Sequence, residues 1–231
     1  MVLGVGATRL RWPLLATLTA VALVAALVLN VSGRASGDDA ARCARLAELS
    51  AERAASDTGS GRRIAVIGDS YAVGSGLERP DRSWPRRLPG RVHVDGFPGS
   101  GFSARASSCP RVSYADRAAA AAKGADLVVV EGGLNDVNRR GKLIRAGFKR
   151  LIRELRGHDV VVVGPANAPA RADGVSRIDS LLARLSRAAG VRYLRMSHLE
   201  LPYLDDRLHL TRAGHDAFGE RVAEVVRRRL G

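Results

Sequence analysis

"DLVVVEGG", residues 126–133, is a short apolar run that ends in a glutamate and two glycines. "DVVVVGP", residues 159–165, is a second run of the same kind. Neither run alternates apolar with polar residues, which indicates β-strands that are buried on both faces. Strands of that type are typical of a parallel sheet with helices covering both sides.

The same pattern extends in both directions along the chain. Strands are predicted at Ile64–Ile67, Val92–Val94, Leu127–Val130, Val160–Val163 and Val191–Leu194. Helices are predicted at Val112–Lys123, Lys142–Arg156, Val175–Ala189 and Ala213–Leu230. Because strands alternate with helices, the sequence predicts successive βαβ units and an α/β fold.

The amino-terminal segment differs from the rest in composition. Residues 12–31 contain no charged residue, and they follow Arg9 and Arg11. About 20 apolar residues match the thickness of a bilayer, whereas the apolar part of a secretory signal peptide is usually about 7–15 residues long. We therefore expect a signal anchor that spans the cell membrane once, with the later domain outside the cytoplasm. A cleaved signal peptide and a secreted protein are the alternative, because Val31–Gly33 offers small residues for cleavage.

The composition divides the chain into three segments. Residues 1–33 form the signal anchor or signal peptide, residues 34–61 a juxtamembrane helix and a linker, and residues 62–231 the globular domain. Cys43 and Cys109 are the only cysteines of the chain. In an exported protein an even pair of cysteines often forms a disulfide, so we expect a bridge. Two unrelated buried thiols are the alternative.

The net charge is strongly positive. The chain has 37 Lys and Arg against 23 Asp and Glu, a formal net charge of +14. Such a balance suggests anionic surroundings, such as a cell-envelope surface. The basic residues are scattered, and there is neither a basic stripe interleaved with aromatic residues nor a zinc-ligand spacing. We therefore expect no nucleic-acid partner.

Residues that acyl transfer requires follow four of the five predicted strands, where parallel sheets bind their ligands. Ser70 follows the first strand, Gly99 the second and Asn135 the third, and Asp206 and His209 come after the fifth. A serine hydroxyl becomes a nucleophile when a base takes its proton, and His209 with an acid three residues earlier suits that role. Backbone N–H groups at Ser70 and Gly99 and the Asn135 amide could stabilise the oxyanion.

The surroundings of Ser70 also allow other functions. Gly-Asp-Ser alone is common in turns, where Asp69 would organise the chain. A glycine-rich loop after a strand can bind a nucleotide phosphate. However, Gly68, Gly74 and Gly76 lack the spacing of the known phosphate-binding loops, which argues against a nucleotide-binding protein.

Together these segments resemble the sequence blocks of the SGNH hydrolases, the GDSL-type esterase and lipase superfamily. The resemblance covers residues 62–231 and rests on "GDSY", "FPGSG", "GLND" and "DRLH". It implies a three-layer α/β/α sandwich on a five-stranded parallel sheet, with no metal or other cofactor. It also implies a catalytic triad of Ser70, His209 and Asp206, and an oxyanion hole formed by Ser70, Gly99 and Asn135.

Two further residues are expected to contact substrate. They are Tyr71, which follows the serine, and Asn167, which follows the fourth predicted strand. We expect Asp136 to stabilise its loop and His215 to be a structural residue of the last helix.

No insertion in residues 62–231 is long enough to form a helical lid, which argues against a large interfacial lipase. The leading hypothesis is a monomeric esterase that hydrolyses short acyl esters, such as O-acetyl groups on an envelope polysaccharide. The alternatives are a lysophospholipase or thioesterase that acts on lipid acyl groups, and a non-catalytic binding module with the same fold.

Overall fold

The computed structural model describes residues 38–230 of the chain. The predicted membrane-spanning segment, residues 12–31, lies outside the described residues. The chain divides into two units, Met1–Ala44 and Arg45–Gly231. Residues 38–54 are helical (α1), and they include the described part of the first unit. None of the helices within residues 38–230 combines the length and the apolar character needed to cross a membrane.

The second unit contains one five-stranded sheet in which every pair of neighbours is parallel. Its strands are β1 (Arg63–Gly68), β2 (Arg91–Gly96), β3 (Leu127–Glu131), β4 (Val160–Val163) and β5 (Arg192–Leu194). All five predicted strands are present, and the inner strands β3 and β4 are buried along their whole length. Their uninterrupted valine runs therefore fill both faces of the sheet, as predicted.

The strand order is β2-β1-β3-β4-β5. The chain begins in β1, moves to one edge at β2 and then returns to the other side of β1 to form β3, β4 and β5. The direction of winding thus changes between β1 and β3. In open parallel sheets this change leaves a crevice at the carboxyl ends of the two strands, where ligands bind. The loops that follow β1 and β3 therefore meet at the position that favours a functional site.

Helices cover both faces of the sheet. They are α2 (Ser70–Val73), α3 (Tyr114–Ala121), α4 (Gly141–Glu154), α5 (Ala172–Ala188) and α6 (Arg212–Leu230). Ile64 and Val66 of β1 pack in one core with Phe218 of α6, whereas Ala65 and Ile67 pack in a second core with α3, α4 and α5. Alternate residues of a strand point to opposite faces, so these two cores define a three-layer α/β/α sandwich.

The segment that precedes β1 contacts the sheet edge. Thr58 exchanges two backbone hydrogen bonds with Val92 of β2, at 3.0 and 2.8 Å. The Ser50 hydroxyl donates to the Gly96 carbonyl at 2.5 Å. Cys43 and Cys109 are both disulfide-bonded, as the sequence analysis predicts. Residues before 62 therefore contribute to the packing of the sheet edge, and the experiments below use the full chain.

Candidate active site

The loop that follows β1 presents Ser70. β1 ends at Gly68, and the Asp69 side chain accepts a hydrogen bond from the Tyr71 N–H at 3.0 Å, which caps the first turn of α2. Gly74 ends this helix in the left-handed conformation, with φ of 89°. A residue with a side chain would be strained there, and only glycine adopts that conformation readily. Ser70 is thus the first residue of a single helical turn at the end of an inner strand.

His209 lies on a tight loop between β5 and α6. The loop is closed by hydrogen bonds from the Leu204 N–H to the His209 carbonyl and from the Arg207 N–H to the Leu204 carbonyl, both 2.8 Å long. Arg207 has a positive φ of 56°. A residue other than glycine costs conformational energy in the left-handed conformation. Here the two hydrogen bonds that close the loop hold Arg207 in that conformation.

Asp206 contacts both the backbone and the ring of His209. Its Oδ1 accepts hydrogen bonds from the N–H groups of Leu208 and His209, each at 2.9 Å. Its Oδ2 lies 2.5 Å from Nδ1 of His209. Partial desolvation acts to raise the pKa of Asp206, but these hydrogen bonds outweigh it and lower that pKa below its usual value. The carboxylate therefore stays ionised at neutral pH.

The other ring nitrogen of His209 points at the serine. Nε2 of His209 lies 3.2 Å from Oγ of Ser70, across a sequence separation of 139 residues. When Nδ1 donates its proton to Asp206, Nε2 carries a lone pair that can accept the serine proton. The structure therefore brings together all three residues of the predicted triad in the order of an acyl-transfer relay.

Two backbone N–H groups lie on the loops around this serine. Gly99, in the loop after β2, has a φ of 82°, a conformation that favours glycine over residues with a side chain. The N–H groups of Ser70 and Gly99 donate no hydrogen bond to any described residue. Both therefore remain free to donate to a bound group.

Asn135 reaches the same region from the turn after β3. Its Nδ2 donates to Oδ2 of Asp69 at 3.0 Å and to the Ser100 carbonyl at 2.9 Å. Both amide hydrogens are thus engaged, so Asn135 ties the serine turn to the loop that carries Gly99. To donate to an oxyanion, the amide would exchange one of these two bonds for the substrate.

Three buried carboxyl groups support the site. Burial raises the pKa of Asp69 and of Asp136 to about 6, and burial also raises the pKa of Glu131 well above its usual value. Asp136 accepts hydrogen bonds from the N–H groups of Phe102 and Ser103, both 2.9 Å long. Asp136 therefore holds the loop after Gly99, in the loop-stabilising role expected of it.

Sequence reasoning missed Arg117. This residue of α3 donates through Nη2 to the Gly68 carbonyl at 2.9 Å and to Oγ of Ser100 at 3.1 Å. It also forms a short ion pair with Asp95. One guanidinium thus connects the end of β1 to the loop after β2. In the sequence, Arg117 is simply an arginine in an amphipathic helix, a pattern too common to indicate a functional role.

The two predicted substrate contacts lie in different environments. Tyr71 is only 2% exposed, and its hydroxyl donates to the Leu208 carbonyl at 2.6 Å. Its ring therefore packs in the core, and its hydroxyl helps to position the loop of His209. Asn167 is exposed, and it lines an open groove together with Leu201 and Tyr203.

His215 is buried in α6, behind the site. Its Nδ1 lies 3.4 Å from the Trp84 N–H, and its ring contacts that of Tyr71. Burial, followed by the charge of nearby His209, lowers the pKa of His215 from 6.5 to about 4. The imidazole is thus a neutral structural group, as expected.

This shift predicts that His215 destabilises the fold in acid. Between about pH 6.5 and 4 the unfolded chain binds a proton at His215 that the folded chain does not, so the contribution of His215 to stability falls as the pH falls through this range. We expect the titration of His215 to lower the free energy of unfolding by about 2–3 kcal/mol at pH 4.5, relative to pH 7. Urea unfolding of the wild type and of His215→Gln at pH 7 and 4.5 measures it. Equal pH dependence in both proteins would contradict the prediction.

Residues 66–217 match the sequence model of the GDSL-like Lipase/Acylhydrolase family. No curated protein matches the chain. Among solved structures, the chain is similar to a carbohydrate acetylesterase family member from Sinorhizobium meliloti, with a TM-score of 0.60 and 22% identity over 74% of this chain and 100% of that chain.

Two further solved structures have the same fold. The native aryl esterase of M. smegmatis has a TM-score of 0.58 and 21% identity over 73% of this chain and 99% of that chain. A family two carbohydrate esterase from Clostridium thermocellum, solved as an active-site mutant, has a TM-score of 0.61 and 19% identity over 75% of this chain and 65% of that chain. The family match spans β1 to the first turns of α6, and with it the serine turn and the loop of His209. The chain therefore belongs to the GDSL-like lipase/acylhydrolase family, and it is a serine hydrolase of the esterase type.

Proposed function

We propose that this protein hydrolyses short acyl esters, such as acetyl esters, with Ser70 as nucleophile, His209 as base and Asp206 as the acid that orients the base. The contact of 3.2 Å between Ser70 Oγ and His209 Nε2 carries this proposal, together with the 2.5 Å contact between His209 Nδ1 and Asp206. Few structural roles require a serine, a histidine and an aspartate in this geometry at the end of a parallel strand.

The first half of the reaction forms an acyl-enzyme. His209 Nε2 takes the proton of Ser70 as Oγ attacks the ester carbonyl, which gives a tetrahedral intermediate with a negative oxygen. Asp206 remains ionised and stabilises the imidazolium. As the intermediate collapses, the bond between the carbonyl carbon and the alcohol oxygen breaks. His209 then gives its proton to the departing alcohol.

The second half returns the serine. A water molecule loses a proton to Nε2 of His209 and attacks the acyl carbonyl, and the second tetrahedral intermediate releases the carboxylic acid as Ser70 regains its proton. The free N–H groups of Ser70 and Gly99 would donate to the oxyanion in both halves. Asn135 would add a third hydrogen bond by giving up its bond to Asp69.

Two observations support a short acyl group. From β1 to α6 the described elements follow one another without an inserted helical lid. Two of the similar structures are esterases of carbohydrates, and one of those is named an acetylesterase.

Because structural disulfides persist in oxidising compartments, the bonded Cys43 and Cys109 support a site of action outside the cytoplasm. Residues 12–31 would then anchor the domain to the membrane, next to an envelope polymer.

A series of p-nitrophenyl esters from acetate to palmitate tests the acyl preference. We expect the full-length protein in detergent to hydrolyse acetate fastest, with kcat/KM falling steeply beyond about four carbons, because one extra or missing methylene changes binding by about 1–3 kcal/mol. Maximal activity on long chains would favour a lysophospholipase or thioesterase instead. A folded protein that hydrolyses none of the esters would favour the binding module.

A further inference from the structure

A groove opens beside the loop of His209. It has a volume of about 440 Å³, and apolar atoms of Leu77 and Leu204 line part of its wall. Three arginines, Arg79, Arg82 and Arg212, line the rest together with a single acid, Glu78. A groove lined by both leucine side chains and arginines suits a ligand that combines an apolar body with a negative charge.

The groove adjoins the loop that carries His209. Gly76 lines it and lies against His209, because a Cβ atom placed on Gly76 would be 3.8 Å from Cβ of His209 and 2.6 Å from Cδ1 of Leu204. Leu204 also donates its backbone N–H to the His209 carbonyl at 2.8 Å. Two lining residues of the groove, Gly76 and Leu204, are therefore neighbours of the residue that carries the proposed base.

The positive charge of the groove is only partly neutralised. Arg79 pairs with Asp81 at 2.9 Å, but both side chains are more than half exposed, with 63% and 56% of their surface accessible. At that exposure solvent screens the pair, so the guanidinium remains available to another anion. Arg82 is half-buried, and its guanidinium forms neither an ion pair nor a hydrogen bond with any residue in the described range 38–230.

The remaining arginine shares its partner. Arg212 pairs with Asp216 at 3.1 Å, and the same carboxylate pairs with Arg87 at 2.8 Å. Arg86 lies nearby, and partial desolvation followed by the charges of Arg212, Arg82 and Arg87 lowers its pKa. The region therefore holds more guanidinium groups than carboxylates, and an added anion would relieve their mutual repulsion.

We propose that this groove is a subsite for a carboxylate or phosphate on the alcohol part of the ester, with Arg82 as its main contact. This inference rests on the proposed function, because it places the alcohol part of the scissile ester in the groove. A volume of about 440 Å³ far exceeds the need of an acetyl group. In a short-acyl esterase the larger part of the substrate is the alcohol, so the alcohol occupies the groove.

Three acetyl esters that differ in charge test the subsite. They are 4-acetoxybenzoate, its uncharged isostere 4-acetoxybenzamide, and 4-acetoxyphenyl phosphate. We expect the full-length protein to have a kcat/KM about five- to tenfold higher for the charged esters than for the amide, mostly through a lower KM. The ratio of kcat/KM for a charged ester to kcat/KM for the amide should fall towards one in Arg82→Gln and be partly kept in Arg82→Lys. It should also decrease in 0.5 M salt.

The control is Arg145→Gln. Arg145 is an exposed residue of α4, whose buried side packs in the core on the other face of the sheet. Its loss removes the same charge from the protein and should leave the ratio unchanged. A ratio near one in the wild type, or an equal drop in both variants, would overturn the subsite, since the second result would reflect only overall charge.

The proposed function can fail separately. If the folded protein hydrolyses none of the three esters, calorimetric titration with 4-hydroxybenzoate and 4-hydroxybenzamide still tests the groove. Binding of the benzoate alone, lost in Arg82→Gln, would support the subsite without the esterase. Equal binding of both compounds, or binding of neither, would overturn it.

Discussion

Ser70→Ala is expected to lower kcat/KM for p-nitrophenyl acetate by about 10⁴- to 10⁶-fold, because no other group can form the acyl-enzyme. Stability should hardly change. Among residues 38–230 the Ser70 hydroxyl has one hydrogen-bond partner, Nε2 of His209, and that nitrogen belongs to a side chain that solvent can reach, with 23% of its surface exposed. The melting temperature should therefore stay within about 2 °C of the wild type.

A double substitution distinguishes a relay from independent contributions. If Ser70 and His209 act as a unit, the double variant Ser70→Ala with His209→Ala should have about the same kcat/KM as each single variant. Asp206→Asn should lower kcat/KM less than Ser70→Ala or His209→Ala does. The decrease should still be large, because Nδ1 of His209 loses its ionised acceptor. Losses that multiply, or turnover that survives Ser70→Ala, would contradict the proposed mechanism.

Gly147→Ala is expected to destabilise the fold by about 3 kcal/mol, although alanine is the better helix former by about 1 kcal/mol. Gly147 lies inside α4, where a Cβ atom would be 1.8 Å from the Phe102 carbonyl oxygen. That carbonyl belongs to a loop whose N–H groups at Phe102 and Ser103 are held by Asp136. The loop therefore cannot give way cheaply, and the helix must move instead.

Gly141→Ala in the same helix is the matched control. The nearest atom to its added Cβ is a Leu181 methyl at 3.9 Å, an ordinary contact. We expect this variant to be neutral or slightly stabilised, while Gly147→Ala lowers the melting temperature by about 6–12 °C. Because the loop against which the helix would press also carries Gly99, any shift of that loop should lower kcat in Gly147→Ala as well. Equal melting temperatures for the two variants would show that the loop is more compliant than its hydrogen bonds suggest.

Much of this fold and site could be predicted because the signals are local. The valine runs of β3 and β4 need no context to indicate buried strands, and parallel strands place their carboxyl ends together. Asp206 and His209 lie three residues apart, so one turn brings them into contact. Ser70 follows directly from the end of β1, which lies beside the crevice where the winding changes direction.

The remaining features depend on contacts between distant parts of the chain. Tyr71 directly follows the serine, yet the turn of α2 directs its ring into the core, where the ring packs against Phe218. Only the placement of α6 decides that outcome. The roles of Arg117 and Gly147 are equally hidden, since one depends on where two loops end and the other on how closely a helix approaches a carbonyl group.

The separation of 139 residues between Ser70 and His209 has a consequence for biogenesis. A ribosome makes the proposed nucleophile early and its proposed base late, after all five strands have been translated. Until the loop of His209 has docked against α2, the serine is an ordinary hydroxyl. Under the proposed mechanism a partly synthesised chain therefore cannot attack esters, and activity appears only when folding is nearly complete.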